Sequence, residues 1–252
     1  MSDRPSFRAV LVASFVAVAW CGALARAVEP LPHFQCYRTE SDASVERTVA
    51  LTDQFGQIEA RIEELYRICN PTDANDGASG AAARPEHLTE YTIRRVSGNV
   101  PLQRVSVTNQ FGTFLLESGH NPPPRSLLVP SAVSSTPPAP SPLAPGAISH
   151  FTCYHVHRQP GLLNEQVELE DENGTQSFNT RLADELCLPA KVDDEDVVET
   201  DTPLLCYVLV RRGERPASKT VQATDPFGSS AVRLRTGFKQ QLCVPSTVVV
   251  LP

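Results

Sequence analysis

Four short segments alternate apolar with small or polar residues at the two-residue period of a half-buried strand. They are Val49-Ala50-Leu51-Thr52-Asp53, Val105-Ser106-Val107-Thr108-Asn109, Val167-Glu168-Leu169-Glu170-Asp171 and Val221-Gln222-Ala223-Thr224-Asp225. Each runs into a turn with Asp or Asn first and Gly fourth, a composition that predicts a type I turn leading into a residue with positive φ. Asn173-Gly174 is itself a strong hairpin dipeptide. A second strand follows over residues 58–62 and 231–235. Residues 57–68 include good helix formers, but the other repeats place a strand and loop there. A further strand precedes each hairpin, with Phe151, Cys153 and His155 on one face and Thr152, Tyr154 and Val156 on the other.

These strands belong to a fourfold internal repeat, which sets the architecture. The repeats begin His33-Phe34-Gln35-Cys36-Tyr37, His87-Leu88-Thr89-Glu90-Tyr91, His150-Phe151-Thr152-Cys153-Tyr154 and Leu204-Leu205-Cys206-Tyr207. Their turns are Asp53-Gln54-Phe55-Gly56, Asn109-Gln110-Phe111-Gly112, Asp171-Glu172-Asn173-Gly174 and Asp225-Pro226-Phe227-Gly228. They end Ile68-Cys69-Asn70-Pro71, Leu127-Leu128-Val129-Pro130, Leu186-Cys187-Leu188-Pro189 and Leu242-Cys243-Val244-Pro245. The first and last cysteine positions lie 33, 38, 34 and 37 residues apart, so repeats one and three match in length, as do two and four. A pair of repeats therefore reads as the unit of duplication.

The predicted fold is all-β, with four disulfide-stapled repeats arranged as two tandem sandwich- or barrel-like domains. The boundaries read as a signal peptide over 1–27, a first β domain over 28–130, a Pro-rich linker over 131–149 and a second β domain over 150–252. The linker segment SAVSSTPPAPSPLAPG suits a semi-rigid exposed spacer.

Residues 1–27 have the form of an export signal: Arg4 and Arg8, an apolar run over 9–24, and Ala25-Arg26-Ala27 as a cleavage pattern. That run is too short for an ordinary spanning helix, and no second candidate follows. The expected location is secreted, periplasmic or cell-surface, with no integral membrane segment after cleavage. Without these residues the chain holds 19 Lys and Arg against 28 Asp and Glu, net −9. That balance, with no basic run, argues against nucleic acid as a partner. Cys21 leaves with the signal and six cysteines remain.

Repeat two lacks both cysteines together, with Glu90 and Leu128 in their places, while the other repeats keep two each. Six cysteines allow 15 connectivities, and this joint loss selects pairing within repeats: Cys36 with Cys69, Cys153 with Cys187 and Cys206 with Cys243. Repeat two has no staple and is expected to lean on repeat one.

The His-Phe-x-Cys-Tyr start, Asp-Gln-Phe-Gly turn and Leu-Cys-x-Pro end resemble those of secreted bacterial tandem-repeat proteins of unknown function. The resemblance spans the chain after the signal and implies export, disulfides and repetition, with no activity to carry over. Repeat two departs from the pattern at both cysteines, and repeat four has Pro203 where the starting His stands.

Among residues that can carry binding, Tyr37, Tyr91, Tyr154 and Tyr207 recur in all four repeats, as an exposed platform for sugars or as rings buried between paired repeats. Burial is the favoured reading, since recurring aromatics usually pack. Phe55, Phe111 and Phe227 pose the same choice at the turn tips, between insertion into a partner and folding over the sheet end. His155 and His157 stand two apart with His150 nearby, but no third ligand of matching period completes a metal site. The run Asp193-Asp194-Glu195-Asp196 lacks the spacing and Gly of a calcium loop and reads as a solvated linker. No G-x-S-x-G, H-E-x-x-H, P-loop or G-x-G-x-x-G is present. Neither a catalytic residue nor a cofactor is predicted. The expected function is a non-catalytic surface-associated binding or structural module whose partner is an unidentified protein or glycan. The alternatives are a carbohydrate-binding module using the Tyr and Phe series, or an extracellular hydrolase with its site at a repeat interface.

Overall fold

The computed structural model describes residues 30–41, 44–75, 80–118, 124–157, 163–198, 201–237 and 239–252. The predicted signal peptide lies outside them. Repeat one supplies β1 (His33–Glu40), β2 (Ser44–Asp53) and β3 (Gly56–Ala74). Repeat two supplies β4 (His87–Gly98), β5 (Gln103–Asn109), β6 (Gly112–Ser118) and β7 (Ser126–Ser134). Repeat three gives β8 (His150–His157), β9 (Gln166–Asp171) and β10 (Gly174–Val192). Repeat four gives β11 (Leu204–Arg212), β12 (Lys219–Asp225), β13 (Gly228–Leu234) and β14 (Gln240–Pro245), followed by β15 (Thr247–Leu251).

The fold is all-β, and one 3₁₀ turn at Ala81–Ala83 is the sole helical element among the described residues. Residues 57–68 lie within β3: the strand expected over 58–62 is found, and it continues through the part where the sequence predicts a loop, because that part is paired on one side by β1 and on the other by β4. The matched repeat lengths have a structural counterpart. In repeats one and three the second hairpin strand continues unbroken as β3 and β10, each 19 residues long. In repeats two and four the longer insert divides it into β6 and β7, and β13 and β14.

Eight antiparallel pairings close a ring. β1 pairs with β3, β3 with β4, β4 with β7 and β7 with β8. β8 then pairs with β10, β10 with β11, β11 with β14, and β14 returns to β1. All eight strands send residues from one face into a single buried cluster, which includes Phe34, Leu88, Phe151, Leu204 and the six cysteines. That face is the barrel interior. The opposite face, carrying the four Tyr, packs under the hairpins in a second and larger core. Parity along each strand thus separates the Cys side from the Tyr side.

The halves 28–130 and 150–252 share ladders. β7 extends through Ser134, into the stretch read as linker, and pairs there with β12. Ser131-Ala132-Val133-Ser134 precedes the prolines, so nothing removes its ladder donors. Ile148 is buried and, with Leu143, packs against the inner cluster, while most of 135–147 is exposed as a spacer should be. The segment after the x-Pro of each repeat pairs with the first hairpin strand two repeats away. β3 meets β9, β10 meets β2, β7 meets β12, and β15 meets β5. Repeats one and three, and repeats two and four, are therefore crosswise partners. Repeat two also leans on repeat one, as expected, through the β3–β4 ladder.

Candidate functional site

Each hairpin turn is locked the same way. The first turn residue accepts a backbone N–H two positions on: Asp53 from Phe55 at 2.7 Å, Asn109 from Phe111 at 2.9 Å, Asp171 from Asn173 at 2.7 Å and Asp225 from Phe227 at 2.8 Å. The fourth residue is Gly at positive φ in every repeat, from 93° at Gly174 to 147° at Gly56.

The second oxygen of each turn aspartate meets a tyrosine from the crosswise repeat. Tyr37 donates to Asp171 at 2.8 Å, Tyr154 to Asp53 at 2.7 Å and Tyr91 to Asp225 at 2.7 Å. In the fourth case Asn109 donates to Tyr207 at 2.9 Å. The turn Phe adds an edge-to-face contact with the same tyrosine: Phe55 with Tyr154 and Phe111 with Tyr207, both with centroids at 5.2 Å, and Phe227 with Tyr91 at 5.6 Å. Repeat three has Asn173 at the Phe position, and there Gln176 donates to Tyr37 at 3.3 Å.

All four tyrosines are at most 3% exposed. A ring so enclosed offers no stacking face to a sugar. The burial expected of them is found, but between crosswise repeats rather than within the pairs one–two and three–four, because the x-Pro extensions carry each turn across to the opposite side. Phe55 is buried, while Phe111 and Phe227 are half-buried against the core.

Burial raises the Asp53 carboxyl to about 6, against the hydrogen bonds from Tyr154 and the Phe55 N–H. Tyr154 is raised as well, first by burial and then by the Asp53 charge. Tyr154→Phe keeps the ring but leaves one Asp53 oxygen without its donor. It is expected to cost about 1–3 kcal/mol and to move the Asp53 titration further up, measurable by urea melts and carboxyl-carbon NMR.

Inside the barrel, the cysteines bond as their distribution predicts: Cys36–Cys69, Cys153–Cys187 and Cys206–Cys243. Each bridge joins residues directly opposite on neighbouring strands. The three also touch one another, with Cys36 Sγ 3.7 Å from Cys243 Sγ and Cys187 Sγ 3.9 Å from Cys206 Sγ. Glu90 and Leu128 face each other in the same register, where repeat two would carry its bridge.

Glu90 does not stand alone there. Arg67 Nη1 donates to its two oxygens at 2.9 and 2.8 Å and to Glu185 Oε2 at 3.2 Å. Arg67, Glu90 and Glu185 are buried residues of repeats one, two and three. This ion triad ties repeat two to both neighbours at the point where its disulfide is missing. Burial alone would lower Arg67; the two carboxylates outweigh it and hold the guanidinium above its ordinary value. Glu185 is pushed up to about 7 by burial and by the Glu90 charge, with Arg67 opposing.

Folded Glu185 ionises near pH 7, whereas the ordinary value is 4.5. Between those values the folded chain holds a proton that the unfolded chain has released, so this group removes stability as pH rises through the window. Glu185→Gln carries no such proton. Its Tm relative to the parent is expected to climb from pH 5 to pH 8, and a gap independent of pH would contradict this.

Sequence reasoning missed the triad, although a signal for it exists. The position two before each second cysteine points to the barrel interior and is polar in every repeat: Arg67, Ser126, Glu185 and Gln241.

The histidines are dispersed. His150 Nε2 lies 2.8 Å from Glu195, and His155 Nδ1 lies 3.5 Å from Asp184, with the His157 ring 4.5 Å from that of His155. Among the described residues no three His, Cys, Asp or Glu converge on a metal position. No helix there is long and apolar enough to cross a membrane.

Two surface cavities stand out. One, of about 460 Å³, is bordered by Leu31, His33, Ala81, Arg84, Gln110 and Pro245. Its one charged group, Arg84, is already engaged by Glu86 at 3.2 Å and by the Pro30 carbonyl at 2.9 Å. The other, of about 340 Å³, lies in repeat four against Phe178 and carries Arg211, Arg215 and Lys239.

Residues 87–245 match the family described as Repeat of unknown function (DUF7450). No curated protein and no solved structure matches the chain. The matched region runs from the start of repeat two to the end of repeat four, more than half of the sequence, so the chain belongs to this family of repeats of unknown function.

Proposed function

We propose that the protein is an exported, non-catalytic module that binds or scaffolds at a surface, built to stay rigid in an oxidising environment. The observation that carries this reading is the use made of the recurring residues. The cysteines, tyrosines and turn aspartates that define the repeats are spent on joining strands to strands and repeats to repeats. Three disulfides are consistent with an extracellular or otherwise oxidising compartment. Recognition then falls to residues that do not recur, displayed on a frame with little freedom to lose on binding.

A glycan and surface-protein binding screen on residues 28–252, run beside a product assay on the same ligands, tests the proposal. Specific binding without turnover, abolished when the bridges are reduced, is the expected result. Turnover of a glycan or peptide would overturn it in favour of a hydrolase.

A further inference from the structure

Charge in this acidic chain is unevenly distributed. Residues 204–245 hold seven Lys or Arg against two acids, although the chain from residue 28 carries net −9. Four of those seven are engaged by other repeats. Arg233 and Arg235 pair with Glu40 at 3.7 and 2.8 Å, Lys219 with Glu172 at 3.6 Å, and Arg212 donates to Gln166. The remaining three, Arg211, Arg215 and Lys239, have no acidic partner among the described residues, and all three line the same 340 Å³ cleft. Among the described residues no carboxylate lines it; Glu214, in the adjoining loop, is exposed.

The cleft is built around Arg211. Its guanidinium lies 4.8 Å from the centroid of the Phe178 ring, and Nη2 donates to the Thr236 carbonyl at 3.1 Å. A guanidinium held at its face and at one nitrogen keeps its other donors in a fixed plane, the arrangement that suits oxyanions. Burial lowers the proton affinity of Arg211, with Tyr37 opposing and the like charge of Arg215 adding to the lowering. Gly237 leaves room beside Arg215, since a Cβ there would sit 3.4 Å from its Cδ.

We propose that this cleft is an anion site that takes a sulfate or phosphate monoester carried on a larger ligand such as a glycan. Three cations around a small cleft match a tetrahedral group whose three terminal oxygens share the negative charge, and the volume of about 340 Å³ admits one such group with the sugar that bears it. The proposal rests on the reading of the protein as a binding module.

Calorimetric titration of residues 28–252, bridges intact, with glucose 6-sulfate, glucose 6-phosphate, inorganic sulfate, inorganic phosphate and chloride at matched ionic strength tests it. At least one of the esters and its inorganic ion should bind where chloride does not, with affinity falling as salt rises. The sulfate and phosphate arms decide which monoester is preferred. Arg215→Gln/Lys239→Gln should weaken that binding at least tenfold, while Arg233→Gln/Arg235→Gln, with an unchanged Tm as check of folding, should leave it within twofold. Heats no different from chloride, or equal binding by both double variants, would overturn the proposal. A sulfated or phosphorylated glycan from the wider screen that binds Arg215→Gln/Lys239→Gln as well as the parent would overturn this cleft while sustaining the module.

Discussion

Arg67→Met is expected to destabilise the protein by about 3–5 kcal/mol, the range for removing one partner of a buried ion pair and leaving charge behind. Two carboxylates, Glu90 and Glu185, would be left facing each other in the barrel interior with their shared donor gone. The loss should be largest at alkaline pH, where Glu185 is ionised, and should shrink as acidification protonates it. Urea unfolding at pH 8 and pH 5 measures both. The triple variant Arg67→Met/Glu90→Leu/Glu185→Leu separates two roles for the triad. If the ions serve only to match one another, the triple variant should fall within about 1 kcal/mol of the parent or exceed it, because apolar replacements of buried ion pairs are often neutral or stabilising.

The disulfides act on the other side of the equilibrium. Cys36→Ala/Cys69→Ala opens a loop of 33 residues, and the chain-entropy relation gives a loss of about 4 kcal/mol. At this chain length that corresponds to a fall in Tm of roughly 10 °C or more. Because Cys36 also touches Cys243, removing its sulfur opens space beside the next bridge, and the measured loss should exceed the entropic figure. Differential scanning calorimetry of the oxidised variant checks it. A loss below about 1 kcal/mol would mean that the ring holds repeat one without its staple.

What the sequence disclosed was local or countable. Period-two alternation marked β2, β5, β9 and β12, and the Asx-to-Gly turns marked the hairpins, because both are set within five residues by backbone sterics and side-chain capping. The bridges followed from the joint loss at Glu90 and Leu128. Ring closure did not follow, since it depends on β14 finding β1 across 200 residues of chain. The tyrosines were placed in the core but with the wrong neighbours: each turn carries the same Asp or Asn, so nothing local tells Tyr37 to choose Asp171 over the turn of its own repeat or of repeat two. The equal lengths of repeats one and three recorded their kinship without disclosing their contact. Glu90 looked like a mere absence of cysteine, and its meaning depends on Arg67 and Glu185 arriving from two other repeats. The cleft at Arg211 was hidden for a related reason, since its cations are dispersed in sequence and gather only when β11 and the approach to β14 lie side by side.

The four repeats form one interlocked ring rather than two tandem units. Producing residues 30–134 and 135–252 as separate polypeptides, bridges intact, and following amide hydrogen exchange of each alone and of the mixture tests it most directly. The crosswise ladders β3–β9, β2–β10, β7–β12 and β5–β15 predict weak protection in either piece alone and slow, native-like exchange once the two are combined. Full protection in either half by itself, unchanged on mixing, would contradict the ring.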